Sequence, residues 1–378
     1  MTAFRVERDG GALAFRFPRG AYDEAQLDAL MAENDGVAIA RDDESLRIDS
    51  RGGDAGAAAN RLFARLNGYP SPDPALLGTF RNADAPLVSC ILLLPFNDLF
   101  ARNAILPGII ASSAKHPIEI IIVDAGFGTH VEPFRHLRIV PSELTSIARG
   151  YNNGVRAARG EFLALFHDDC FIDDPLWIEK SLDALTGNTG AVTPELDDWY
   201  GEVPVGKAVP LVMRRRTFLD LGGYDEMYYA GVEDMDLTCN LMAHGLEMRK
   251  IDIAYRHLRG MGTSLTVHPE PLQLRRLFGF QVLPADVIRR VHADSMERLL
   301  GHAFVRLLEA RYHLHFLDKF ESLLRERFGV DVAARREFYT RMLWSHLRDA
   351  DFTVIDDRAR LLDSYRNMMN VEELTTPA

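Results

Sequence analysis

Two adjacent aspartates, Asp168 and Asp169, directly follow the apolar run FLALF and one histidine. Neighbouring carboxylates repel each other, and a hard divalent cation relieves that repulsion while it also binds substrate phosphates. The alternative is that the two acids cap the next helix. Asp174, followed by Pro175, already fits the N-cap and the first position of that helix. The pair needs its own explanation, and taken alone it leaves the choice between metal ligand and cap open.

A second acidic pair, Glu233 and Asp234, opens a predicted helix. Leu237 and Leu241 lie one turn apart on it, and Gly245 is typical of the position just past a helix end. The helix dipole favours acids in a first turn, which is a purely structural explanation. A carboxylate fixed at a rigid helix end can also act as a general base that deprotonates a hydroxyl. The spacing does not distinguish the structural explanation from the general base.

A third candidate, His257, follows the short strand-like run MRKIDIAY. A single histidine usually has a structural or exposed role, but histidine can join two carboxylates as a metal ligand. The neighbouring Arg256 is either a solvated surface charge or a phosphate contact. Neither residue decides a function by itself.

These side chains lie within residues 86–265, and the elements of this region must position them. Its sequence pattern alternates strands with helices. The run LVSCILLLPF is continuously apolar, as expected for a strand covered on both faces. The alternation predicts the α/β class, a mostly parallel sheet with helices on both faces. Ligands of such sheets bind beyond the carboxyl ends of the strands. Asp124 and the Asp168–Asp169 pair both lie at such ends, which is the first functional indication.

Three further regions flank this domain. Residues 1–68 mix short strands with helical stretches and predict a small α+β domain. Residues 69–85 are rich in proline, which predicts a stiff linker. Residues 268–378 carry apolar residues at three- and four-residue spacing, so a helical region is expected, with Gly329 as a helix stop.

The composition excludes some functions. The net charge of −12 argues against general nucleic-acid binding, which needs a basic face. The three cysteines are far apart, which fits a reducing compartment and predicts neither disulfides nor a zinc cluster. The first residues contain no apolar signal segment, and the longest apolar runs are too short for a membrane helix. We therefore expect a cytoplasmic protein.

Residues 86–267 resemble the GT-A domain of family 2 glycosyltransferases, inverting enzymes that use nucleotide sugars. Four segments carry this resemblance, in the family's order and approximate spacing. They are PLVSCILLLPFND, IEIIIVDAGFGTH, NNGVRAARGEFLALFHDDC, and VMRRRTFLDLGGYDE with the ED that follows it. The resemblance implies a GT-A fold and the transfer of a sugar to a hydroxyl acceptor.

The resemblance also implies roles for single residues. Asp234 would be the base that deprotonates the acceptor hydroxyl, with Glu233 supporting it. Asp169 and His257 would hold a divalent metal, Mn²⁺ or Mg²⁺, which offsets the charge of the departing nucleoside diphosphate. Asp124 would read the nucleotide base, and Asp168 would contact the ribose or the metal. The residues implied in donor binding are Pro95, Asn97, Asp124, Arg149, Asn152 and Asp168.

The implied partners are a nucleotide-sugar donor and a glycan or lipid-linked acceptor in glycan or polysaccharide assembly, without nucleic acid. The C-terminal helices could form a homo-oligomer or hold the protein at the inner face of a membrane. Two alternatives stay open. The stretch VDAGFGTH superficially resembles a glycine-rich turn that binds S-adenosylmethionine, which would make the protein a methyltransferase. A GT-A-like domain could also bind a sugar nucleotide without turnover.

Overall fold

The computed structural model of the chain describes residues 5–9, 12–18, 25, 28, 37–41, 45–50, 80–94, 105–124, 137–141, 147–167, 170–228, 231–257 and 302–350. The first strands form a four-stranded antiparallel sheet in the order β1-β2-β4-β3. They are β1 (Arg5–Asp9), β2 (Ala12–Pro18), β3 (Val37–Arg41) and β4 (Ser45–Ser50). They agree with the short strands predicted for residues 1–68. The domain boundary at residue 68 and the linker 69–85 stay predictions.

The central region contains eleven strands and five helices among the described residues. The strands are β5 (Val88–Leu94), β6 (Ile118–Asp124), β7 (Arg138–Pro141), β8 (Phe162–Phe166), β9 (Cys170–Ile172), β10 (Thr189–Thr193), β11 (Leu196–Trp199), β12 (Val203–Gly206), β13 (Leu211–Arg214), β14 (Glu247–Lys250) and β15 (Tyr255–His257). The helices are α1 (Leu106–Ser112), α2 (Ile147–Ala157), α3 (Trp177–Ala184), α4 (Arg215–Asp220) and α5 (Glu233–Ala243).

Seven of these strands form one sheet in the order β14-β10-β13-β8-β5-β6-β7. The strands β8, β5, β6 and β7 are parallel, whereas β13 is antiparallel to both of its neighbours. The α/β prediction of a mostly parallel sheet is confirmed, with β13 as the exception. The chain runs from β5 outward to β7 and then returns to place β8 on the other side of β5. The reversal creates a crevice at the carboxyl ends of β5 and β8, where α/β proteins bind ligands.

Close packing of α2 against β5 fixes this crevice. Residues 88–93 are all buried, as the continuous apolar run predicted. A Cβ added to Gly150 would lie 2.6 Å from Leu93 Cδ1, and one added to Gly154 would lie 2.5 Å from Ile91 Cγ2. These two glycines, one helical turn apart, let the helix approach the strand more closely than any other residue type would allow.

Asp174 does not cap helix α3, contrary to the prediction from the sequence. Helix α3 begins at Trp177, and Leu176 in its N-cap position makes no side-chain cap. Asp174 Oδ1 instead accepts a hydrogen bond from Leu176 N at 2.9 Å, and Asp174 Oδ2 pairs with Lys180 Nζ at 2.7 Å. The aspartate therefore stabilises the turn before the helix. Pro175 lies in that turn, so the helix begins two residues later than predicted.

The helical C-terminal region predicted from the sequence is confirmed over α6 (His302–Phe328) and α7 (Val332–His346). Gly329 adopts a positive φ of 64° directly after α6, so it ends the helix as expected. The two helices share an apolar core with α5 and β12. Its fully buried members include Tyr228, Met235, Phe316 and Leu317. Within the described ranges, no helix is both long and apolar enough to cross a membrane.

Charged contacts add to this packing. Lys319 Nζ lies 2.8 and 2.9 Å from the two carboxylate oxygens of Asp236, a residue of α5 that is 1% exposed. The same ammonium lies 3.1 Å from Asp225 Oδ2, which His315 Nε2 also contacts at 2.9 Å. Tyr228 donates its hydroxyl to Asp236 Oδ2 at 2.8 Å. Helix α6 is thus bound electrostatically to α5 and to the turn before it.

Replacing Lys319 by methionine should lower the free energy of unfolding by roughly 3 kcal/mol, because the buried carboxylate of Asp236 loses its cation. Adding Asp236→Asn should recover a large part of this loss, since the uncompensated charge is then removed. Urea unfolding monitored by circular dichroism measures both effects. The matched control is Arg325→Met on the exposed side of the same helix. A Lys319→Met protein as stable as the wild type would show that the contact contributes little.

Candidate active site

The acidic pair Glu233–Asp234 lies in the first turn of α5, as predicted, and both side chains are buried, with 5% and 6% exposure. The chain enters the helix through two residues with positive φ, Gly231 at 86° and Val232 at 75°. A β-branched residue in the left-handed region is strained, and such strain concentrates at functional sites. This sharp entry places both acids at the positive end of the helix dipole. Gly245, with φ of 75°, follows the end of the helix as expected.

Lys207 orients the Asp234 carboxylate. Its Nζ lies 3.3 Å from Asp234 Oδ2 and 5.9 Å from the centre of the Trp199 ring. Burial alone would lower the pKa of Lys207, but the carboxylates of Asp234, Asp197 and Glu233 outweigh it and raise that pKa above its usual value. The lysine therefore stays charged beside Asp234.

Glu233 has a different environment from Asp234. Burial, reinforced by the charge of Asp234, raises the pKa of Glu233 to about 7. Its Oε2 atom is buried without a hydrogen-bond partner among the described residues, and so is the hydroxyl of Tyr224. Burial and the charges of Asp234 and Glu233 raise the pKa of Tyr224 well above its usual value. Buried polar atoms without partners are rare in folded proteins, so these two atoms are candidates for contact with a bound polar molecule.

His257 lies beside the other acidic segment. Its Cα pairs with that of Cys170 in the small β9–β15 sheet, and its ring centre lies 5.8 Å from that of His167. His167 and Cys170 are the described residues on either side of Asp168 and Asp169, which themselves lie outside the described part of the chain. His257 Nδ1 lies 2.9 Å from Glu195 Oε2, the oxygen that also accepts the Tyr255 hydroxyl at 3.2 Å.

These contacts fit a metal ligand in chemical terms. A ligating histidine commonly donates its second ring N–H to a carboxylate, which fixes the tautomer and the ring orientation. The Glu195–His257 contact has this form. Among the described residues, no group of three or more His, Cys, Asp or Glu side chains is placed to hold a metal. Further ligands would come from residues outside the described part of the chain, such as Asp169.

The predicted donor-binding residues fall into three groups. Pro95, Asn97 and Asp168 lie outside the described residues. Asp124 ends β6 opposite Leu94, the last residue of β5, so its backbone lies at the expected sheet edge. Arg149 and Asn152 lie on α2, where both contact Glu226 at 3.0–3.1 Å. The assignment of these six residues to donor binding stays a prediction.

Asn152 has a structural role, because it binds the backbone of Tyr224. Its Nδ2 donates to Tyr224 O at 2.9 Å, and its Oδ1 accepts from Tyr224 N at 3.0 Å. Together with Arg149 and Arg156, it surrounds the Glu226 carboxylate, and the pKa of Glu226 is lowered first by the Asn152 hydrogen bond. Asn152 thus holds the turn at residues 222–226 against α2.

Asn152→Ala should lower the free energy of unfolding by about 2–4 kcal/mol, because the buried N–H and C=O of Tyr224 lose their partners. Chemical denaturation measures this loss. The matched control is Asn153→Ala, at the next and partly exposed position of α2, which should change stability by less than about 0.5 kcal/mol. Unchanged stability of the Asn152→Ala protein would contradict this structural role of Asn152.

Several residues of the site had no distinctive pattern in the sequence. Glu195 and Lys207 flank the β11–β12 hairpin, and they contact His257 and Asp234 across 62 and 27 residues of sequence. Tyr224 belongs to the quoted segment GGYDE but had received no role. Nothing local to these residues separates them from ordinary surface charges, because their significance comes from the tertiary fold.

A central segment of the chain matches a known protein family. Residues 99–221 match the family model described as glycosyl transferase family 2. The match covers 123 of the 378 residues, from 99 to 221. The match confirms the expected family and enzyme class at the level of the domain. It favours this enzyme class over the methyltransferase alternative. No curated protein matches the chain significantly in sequence.

Solved structures resemble the chain only distantly. A crystal structure of GalNAc-T7 with UDP, GalNAc and Mn²⁺ is 12% identical, with a TM-score of 0.37 over 46% of this chain and 43% of that one. The mannosyltransferase PcManGT from Pyrobaculum calidifontis, in complex with GDP-Man and Mn²⁺, is 15% identical, with a TM-score of 0.38 over 84% of this chain and 97% of that one. The bifunctional IspDF from Campylobacter jejuni is 11% identical, with a TM-score of 0.32 over 44% and 50%. These similarities are too low to transfer a substrate or an activity.

The raised pKa of Glu233 predicts a pH-dependent stability. Folding favours the protonated carboxyl, so this contribution is fully present below the usual pKa of 4.5 and is lost as the pH rises through about 7. A Glu233→Gln protein should therefore gain stability relative to the wild type between pH 5 and pH 8, by up to about 3 kcal/mol. Urea unfolding at a series of pH values tests this. Glu202→Gln, an exposed control, should show no such trend, and a pH-independent difference for Glu233→Gln would contradict the assignment.

Proposed function

We propose that the protein transfers a sugar from a nucleotide-sugar donor to a hydroxyl acceptor, with inversion at the anomeric carbon and with the help of a divalent cation. The observation that carries the proposal is Asp234: a buried carboxylate at a rigid helix start, oriented by Lys207, in a chain with a family 2 domain. A helix dipole explains acids in a first turn, but it does not require that they be buried.

In this proposal Asp234 removes the proton from the acceptor hydroxyl as the oxygen attacks the anomeric carbon. Inversion follows because the base and the leaving diphosphate lie on opposite sides of that carbon. A base works best when its pKa lies near the working pH, and the raised pKa of Glu233 places a second acid in that range. Glu233 would support Asp234 as the base and would bind the acceptor through its Oε2 atom.

We place the cation and the donor on the other side of the crevice. Asp169 and His257 would hold the metal, whose chemistry is to offset the negative charge of the leaving nucleoside diphosphate. Asp168 would contact the ribose or the metal, and Asp124 the base. Pro95, Asn97 and Arg149 would contribute further donor contacts. Asn152 would act indirectly, because its amide already holds the turn at residues 222–226.

The acceptor in this proposal is a glycan or a lipid-linked sugar, in glycan or polysaccharide assembly. We also propose a cytoplasmic location, in which the C-terminal helices mediate self-association or contact with a membrane surface. The non-catalytic alternative is a domain that binds a sugar nucleotide without turnover. It differs from the main proposal in a single measurable property, the rate of sugar transfer.

Asp234→Asn should lower kcat by about 100- to 10,000-fold, the usual contribution of a general base, while donor affinity stays unchanged. Nucleoside diphosphate release measures the rate, and calorimetry measures donor binding. Asp220→Asn, at an exposed position of α4, is the matched control and should keep full activity. An Asp234→Asn protein that transfers sugar at the wild-type rate would refute the assigned base.

A further inference from the structure

The hairpin formed by β11 and β12 is closed by three residues, Thr193, Glu195 and Lys207, which we call the hairpin neck. Lys207 N donates to Glu195 O at 3.1 Å. Thr193 donates its hydroxyl to Lys207 O at 2.7 Å and accepts from Glu195 N at 3.2 Å. Thr193 and Glu195 are buried, and Gly206 next to the neck packs directly on Met248 of β14. Hydrogen bonds, burial and close packing therefore hold the neck in place.

The two charged side chains of the neck point to different parts of the site. Glu195 reaches His257, with Oε2 2.9 Å from the ring Nδ1, whereas Lys207 reaches Asp234. A carboxylate accepts hydrogen bonds, so the contact with Glu195 places the ring proton on Nδ1. The nitrogen that then presents a lone pair is Nε2. Because both Glu195 and His257 are largely buried, the carboxylate also limits rotation of the ring.

We propose that Glu195 is the positioning residue that prepares His257 as a metal ligand. The inference rests on the proposed function, since it assumes that His257 binds the cation there. Glu195 does not touch the metal itself. It fixes the tautomer and orientation of the imidazole, and the neck holds Glu195 in place. A purely structural Glu195–His257 ion pair would stabilise the fold but would leave metal affinity unchanged.

The test measures Mn²⁺ binding to the full chain by isothermal titration calorimetry, without any donor. Glu195→Gln should weaken Mn²⁺ binding by about 10- to 100-fold, the usual effect of removing the carboxylate partner of a ligating histidine. Glu202→Gln, on the exposed turn of the same hairpin, is the matched control and should leave the Mn²⁺ affinity unchanged.

A second measurement does not depend on the folding of a variant. Long-range ¹H–¹⁵N NMR of the histidine-labelled wild-type protein should show His257 protonated at Nδ1, with an Nε2 resonance that moves when Zn²⁺ is added as a diamagnetic probe. A Glu195→Gln protein that binds Mn²⁺ as tightly as the wild type, or an Nε2-protonated His257, would overturn the inference alone. A wild-type protein without Mn²⁺ affinity would overturn the metal dependence in the proposed function as well.

Discussion

Three carboxylates are buried within the first turn of α5: Glu233, Asp234 and Asp236 are each no more than 6% exposed. Removing one carboxylate from water costs several kcal/mol, and three in one turn also repel each other. The helix dipole offsets only a small part of this cost. Two lysines from distant segments offset part of the remainder, and the raised pKa of Glu233 reflects the part that is not offset.

Each of these lysines also positions a larger element. Lys207 comes from the hairpin neck, so the β11–β12 hairpin is held against the start of α5. Lys319 comes from α6, so the C-terminal helices are held against the same turn. The strained backbone of Val232 adds a further cost at the same place. Such a cluster is costly for stability alone, which supports the chemical role proposed for Glu233 and Asp234.

The sequence predicted those features that depend on short-range patterns. The apolar run of β5, the helix start at Glu233 and the helix ends at Gly245 and Gly329 all follow from residue types within a few positions. The reversed direction of β13 did not follow, because strand direction depends on how distant segments pack. Asp174 was misplaced as a cap for a smaller reason: its side chain satisfies a turn just before the helix.

The residues of the site also divide into those that the sequence predicts and those that only the structure reveals. Asp234 could be chosen from the sequence because it belongs to an ordered set of motifs, and His257 because the family resemblance implies a histidine at the metal site. Glu195, Lys207 and Lys319 could not, because each acts on a residue between 27 and 83 positions away. Their roles depend on distances and burial that only the folded chain defines. The motifs predicted the reacting groups, and the structure shows which residues contact them.

The most direct test of glycosyl transfer is a screen of UDP-, dTDP- and GDP-sugars for nucleoside diphosphate release, with Mn²⁺ and with a chelator, in the presence of mixed glycan acceptors. We predict that at least one donor is consumed, that the chelator stops the reaction, and that the product has the inverted anomeric configuration by NMR. Consumption of no donor by a folded protein that binds Mn²⁺ and nucleoside diphosphate would contradict it and favour a non-catalytic binding domain.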